Sequence, residues 1–135
     1  MEILQTIHGH TRWLVVLAVV VAALYMLYGG ATQRRYDMLA YRIMLGFSTI
    51  IGIQWILGLL TFLLYTGLEG GYRWEHAITN TIALAVAHAH FSMKRKIGTE
   101  AADSKLYWRA LLIIGLTMGI IFLGVARLPY NAWAM

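Results

Sequence analysis

Apolar residues fill four long stretches of this chain, and polar and charged residues are confined to the joints between them. The stretches run from Thr11 to Gly29, from Ile43 to Tyr65, from Trp74 to Met93 and from Leu106 to Ala126. Each is close to the roughly 20 residues an α-helix needs to cross about 30 Å of hydrocarbon. A segment in lipid must satisfy its own backbone amides, so spans of this kind are helices. The links between them are short: "GATQRRYDMLAY", "TGLEGGYRW" and "KRKIGTEAADSKLYW". Short links keep consecutive helices adjacent. The pattern therefore predicts an all-α fold, a single transmembrane domain over residues 1–135 built as a four-helix up-down bundle.

Charge adds an orientation. The formal net charge is +5, from 11 Lys and Arg against 6 Asp and Glu. Arg34, Arg35, Arg42, Lys94, Arg95, Lys96, Lys105 and Arg109 fall on one side of the predicted bundle, and only Arg12, Arg73 and Arg127 on the other. The positive-inside rule then places both termini outside and the 30–42 and 94–109 connections in the cytoplasm. This is the layout of a multi-pass protein of a bacterial inner membrane. It also explains the basic balance without nucleic acid. The first span is too long for a cleavable signal and lacks a small-x-small cleavage site.

Composition removes several chemistries. There is no cysteine, which excludes disulfides, thiolate ligands and covalent haem attachment, and leaves non-covalent haem open. No Gly-rich phosphate loop, HExxH or internal carboxylate pair is present, so no independent catalytic site is expected. Trp13, Tyr65, Tyr72, Trp74, Tyr107, Trp108, Tyr130 and Trp133 sit at the predicted interfaces, as in an aromatic belt.

Small and polar residues within the spans suggest how the helices meet. Gly46, Gly52 and Gly58 recur every six residues, and Gly115 and Gly119 form a GxxxG pair. Such glycines let helices approach closely, either inside the bundle or against another subunit. Gln54 lies mid-span and needs a hydrogen-bond partner, on a neighbouring helix or on a cofactor.

The third span, "WEHAITNTIALAVAHAHFSMKRK", carries the most chemistry. His76 and His90 are fourteen residues apart. At helical phase they lie within about 40° on one face and about 21 Å apart along the axis. Thr79, Asn80, Ala83 and Ala87 occupy that face between them and form a groove of small side chains suited to a flat ring system. Histidines inside membrane spans are functional candidates. His8 in "TIHGHTRW" enters the bundle at the same depth as His76, and Arg12, one turn on, shares its face and could pair with a haem propionate. Three outcomes are open for this end: His8 and His76 as axial ligands of an outer haem b, edge residues without a ligand, or a mononuclear metal held by His8, His10 and His76. Glu75 is placed to orient His76. His90 is the candidate ligand of a possible second site on the cytoplasmic side, with Met26, Met38 and Met44 at suitable depth but no histidine opposite.

The elements "HGHTRW", "IQWILGLL", "WEH" and "AHAHFSMKRK" together resemble a family of small four-span bacterial membrane proteins loosely labelled cytochrome b-like. The shared positions are His8 with Arg12 and Trp13, Gln54 with Gly58, Glu75 with His76, and His90 with Lys94 and Arg95. Members of that family often carry a further histidine two residues before the glutamine, where this chain has Gly52. The resemblance implies one haem b more readily than two.

Two functions follow as expectations. One is a haem-binding electron-transfer subunit of a respiratory or photosynthetic complex, exchanging electrons with quinol and a redox partner. The other is a cofactor-free accessory subunit, held to other membrane subunits or to its own copies by glycine-lined faces within the lipid. Transport is less suited, since only Gln54, Asn80 and Thr79 are polar at depth.

Overall fold

The computed structural model describes residues 2–64 and 71–128. Tyr65, Tyr130, Trp133 and most of the link before the third helix lie outside the described residues. Among the described residues there are four α-helices, α1 (Glu2–Ala31), α2 (Met38–Leu64), α3 (Gly71–Ala87) and α4 (Lys105–Ala126), with a 3₁₀ segment over His88–Lys96. α1, α2 and α4 are long and apolar enough to cross a membrane.

α1 begins well before its apolar run. Nothing between Glu2 and Thr11 breaks a helix, and Glu2 in the first turn complements the positive end of the helix dipole. His8 and His10 are therefore helical. α1 ends in a Schellman closure, with Gln33 N–H bonded to Gly30 C=O (3.2 Å) and Arg34 N–H to Gly29 C=O (3.0 Å). Gln33 takes the left-handed conformation there, with φ of 52°. Asp37 caps α2 by accepting from the Ala40 N–H at 2.9 Å.

The third element departs from a uniform helix over 74–93. Its α-helical part stops at Ala87, and the chain continues as 3₁₀. Two side chains bond backbone carbonyls in this region: His88 Nδ1 pairs with Leu84 C=O at 2.8 Å and Ser92 Oγ donates to Ala89 C=O at 3.0 Å. The tighter winding of about 120° per residue moves His90 by tens of degrees, to within about 20° of His76. The shared face survives.

α1 packs against α2 and α4, and α3 packs against α4 and α2. Close approach depends on glycine. A side-chain carbon at Gly29 would run into the Tyr107 ring, and one at Gly30 would lie 2.7 Å from Trp108. The core runs along Val15, Ala22, Met26, Met44, Phe47, Ile51, Ala83, Ala87, Ala110 and Ile114. Leucines and isoleucines such as Leu17, Leu24, Ile56, Ile82 and Leu112 point outward and stay exposed. The 30–42 and 94–109 connections meet at one end: Tyr36 N–H donates to Ala102 C=O at 3.2 Å, Arg35 reaches Thr99 C=O, and Tyr107 Oη donates to Arg35 C=O at 3.2 Å.

Candidate functional site

The helical phase of α1 puts His8, Arg12, Val15, Ala22 and Met26 on one face, and the last three are buried. His8 is half-buried against α2 because Gly58 leaves room for it: a Cβ at Gly58 would lie 2.9 Å from His8 Cε1. One turn earlier on α2, the amide nitrogen of Gln54 donates to the His8 carbonyl at 2.9 Å and lies 3.3 Å from His8 Nδ1. Thr11 Oγ1 donates to Gln54 Oε1. This fixes the amide orientation, since the reverse would set two carbonyl oxygens against each other. With the NH₂ group facing the ring, Nδ1 of His8 is an acceptor and the ring proton resides on Nε2.

His76 has the opposite arrangement. Its Nδ1 is 3.2 Å from the Gly124 carbonyl, which can only accept, so Nδ1 carries the proton and Nε2 bears the lone pair. Gly124 is needed for this contact, because a Cβ there would press on Thr79 at 3.2 Å. Asn80 donates to the His76 carbonyl at 2.8 Å, and its nitrogen is 3.2 and 3.3 Å from the two ring nitrogens. A point nearly equidistant from both at that range lies over the ring face, so Asn80 does not occupy the Nε2 lone pair.

Arg12 completes this end. Its Nε and Nη2 are buried and have no hydrogen-bond partner among the described residues. Its guanidinium sits 5.6 Å from the Trp13 ring centroid. Burying a guanidinium without an anion is expensive.

His90 is fully buried, deeper in the structure. Its Nε2 is 2.9 Å from Ser48 Oγ, whose own proton goes to Leu45 C=O at 3.1 Å. Nδ1 is buried without a partner among the described residues. The rings of Tyr41 and Phe91 stand 5.4 and 4.8 Å from it. Ala83 and Ala87 have no exposed surface, so the expected groove is filled by neighbouring helices, and small size serves close packing.

Other expected contributors turn elsewhere. His10 is exposed and bonds Thr6 C=O at 2.7 Å, so it does not join His8 and His76. No group of three His, Asp or Glu able to hold a metal occurs among the described residues, and the three-histidine metal centre is not assembled. Glu75 pairs with Arg127 at 3.2 Å rather than orienting His76. Sequence reasoning missed Ser48 and the Gly124 carbonyl. Ser48 had a signal, as the polar residue on the α2 face shared by Tyr41, Met44 and Ile51; a backbone acceptor has none.

Comparison with models of known protein families, with curated proteins and with solved structures gives no match.

Proposed function

We propose that this chain is a b-type haem-binding subunit for electron transfer in a bacterial inner membrane, working within a larger respiratory or photosynthetic complex. In this reading it is an up-down bundle with both termini outside and the 30–42 and 94–109 connections cytoplasmic. The meeting of those two connections at one end supports that arrangement. Exposed apolar side chains face lipid, as do two apolar grooves of about 300 and 280 Å³, one between α1 and α2 and one between α2 and α3.

The observation that carries the reading is the inward-facing His76, with its Nδ1 anchored on a backbone carbonyl and its Nε2 lone pair left over. A backbone or carboxylate acceptor on the far nitrogen is the usual support of a metal-bound imidazole. Two residues at this end suit a haem: His76 would supply an iron ligand through Nε2, and the unpartnered Nε and Nη2 of Arg12 would suit a propionate. When bound, haem supplies the one-electron redox chemistry; the chain binds it, orients it and keeps it from water. The cytoplasmic half fits less well, because His90 is tied to Ser48 and closely covered by aromatic rings. We therefore propose one haem, at the outer end. Quinol and other membrane subunits are the proposed redox and structural partners.

The test is a pyridine haemochrome assay and a dithionite-reduced spectrum of protein purified from a haem-replete host. The expected result is about one haem b per chain, lost in His76→Ala but kept in His10→Ala. Haem-free protein would refute the reading.

A second reading, a cofactor-free accessory subunit, is favoured by one observation. Gly115 and Gly119 face open space, with nothing among the described residues within 4 Å of where a Cβ would stand, so the GxxxG pair plays no part in packing the described helices together.

A further inference from the structure

The groove of about 300 Å³ between α1 and α2 is lined by apolar residues. Three of them, Ala18, Ala22 and Gly46, are small, and larger ones such as Ile43 and Ile50 enclose the space. Nothing among the described residues lies within 4 Å of where a Cβ on Gly46 would stand, so the hollow does not serve to bring α1 onto α2. From Leu14 to Ala22 it follows α1 for about 12 Å, most of the roughly 15 Å depth of one hydrocarbon leaflet.

One end of this groove is charged. Arg42 lies one helical turn from Gly46, on the same side of α2 and nearer the 30–42 connection. On α1, Tyr25 and Tyr28 follow Val21 at helical spacing toward that end. The guanidinium of Arg34 sits 5.7 Å from the Tyr28 ring centroid. Arg35, by contrast, turns away to Thr99 C=O. Arg34 and Arg42 are exposed, and neither is in an ion pair among the described residues. Asp37, the acidic residue of the same connection, faces the Ala40 N–H. Exposed Tyr28 and Leu39 lie on the way from the groove to these cations.

We infer that the groove holds an acyl chain of one anionic phospholipid, whose phosphate lies between Arg34 and Arg42. Guanidinium groups match phosphate oxygens in geometry and charge. A free phosphate would leave the apolar hollow empty. A zwitterionic phospholipid would bring its own cation against the two arginines. The site stands whether or not haem is bound at the outer end.

Native mass spectrometry of delipidated protein in neutral detergent tests this, with phosphatidylglycerol and phosphatidylcholine of identical chains as probes. One phosphatidylglycerol per chain should be retained, with phosphatidylcholine held roughly tenfold more weakly. The double variant Arg34→Gln, Arg42→Gln should weaken phosphatidylglycerol by a similar factor. Gly46→Leu fills the hollow and should weaken both lipids. Its lipid-free melting curve should stay near that of the parent, since the new side chain enters open space. Arg109→Gln removes an exposed cation of α4 and should leave binding unchanged.

Equal retention of the two lipids, an equal loss in Arg109→Gln, or indifference to Gly46→Leu would overturn the inference. Displacement of the lipid by glycerol phosphate at equal concentration would overturn it too, by revealing a site for phosphate alone. So would a lipid-free dimer that Gly46→Leu dissociates, which would give the groove to a second copy of the chain. None of these readouts involves haem, so failure here and failure of the spectroscopic test above are separate results.

Discussion

The hydroxyl of Ser48 lies 2.9 Å from Nε2 of His90 in the interior of the bundle, and neither side chain is exposed. The bond joins α2 to the 3₁₀ segment that follows α3. Removing one partner of a buried hydrogen bond costs about 1–3 kcal/mol, because the other is left desolvated and unpaired. His90 already has one bare nitrogen. Ser48→Ala should therefore lower the midpoint of thermal unfolding in detergent clearly, by about that free energy. A midpoint equal to that of the parent would show that the bond contributes nothing.

Some glycines have a neighbour where a Cβ would stand, and others face open space. Gly58→Ala puts a methyl 2.9 Å from His8 Cε1, which forces the imidazole to shift. Overpacking of this kind costs about 1–3 kcal/mol. Gly115→Ala meets nothing and should be neutral or slightly stabilising in the monomer, since alanine is the better helix former by about 1 kcal/mol. Paired melting curves of the two variants check this, and similar losses in both would contradict it.

Arg12 should have opposite effects with and without a bound anion. Arg12→Met keeps much of the apolar stem and removes the unpaired buried N–H groups. In cofactor-free protein it should raise stability by about 1 kcal/mol or more, since an unsatisfied charge is costly to bury. In haem-loaded protein it should weaken haem retention, read as faster transfer to apomyoglobin. A loss of stability in the cofactor-free state would indicate that Arg12 already has a partner.

Tyr36, in the connection between α1 and α2, is 1% exposed and its hydroxyl has no partner among the described residues. Burial, followed by the neighbouring Tyr107, Tyr41 and Asp37, pushes its phenol well above the ordinary 10.0. A group whose pKa is raised on folding supports the fold while both states keep the proton, below about pH 10. Above that the unfolded chain loses its proton first, and stability falls as pH rises toward the folded value. Alkaline unfolding should thus start above pH 10 and weaken in Tyr36→Phe. Absorbance at 295 nm and helical ellipticity, followed together, would reveal it, and an unchanged alkaline limb in Tyr36→Phe would count against this account.

Much of this was legible along the chain. Hydropathy placed the helices, since burying or exposing a 20-residue apolar face in lipid leaves few alternatives. Helical phase grouped His8 with Arg12 and His76 with Asn80, because a period of 3.6 residues is fixed by backbone geometry. The third helix was harder to read. Its change to 3₁₀ winding after Ala87 is a local change of backbone hydrogen bonding that hydropathy does not register.

The sequence by itself determined that this is a helical chain with long apolar segments and a polar cluster on inward faces at one end. Tertiary structure decided what each member of that cluster is. It made Gly58 and Gly124 seats for other residues while leaving Gly115 and Gly119 bare, which turns on helix rotation and not on the motif. It gave His90 to Ser48, and it separated His8 from His76 by the partner each found for Nδ1, an amide donor for one and a carbonyl acceptor for the other. Proton position on an imidazole is set by such a contact across helices. No spacing of residues along a single helix can specify it.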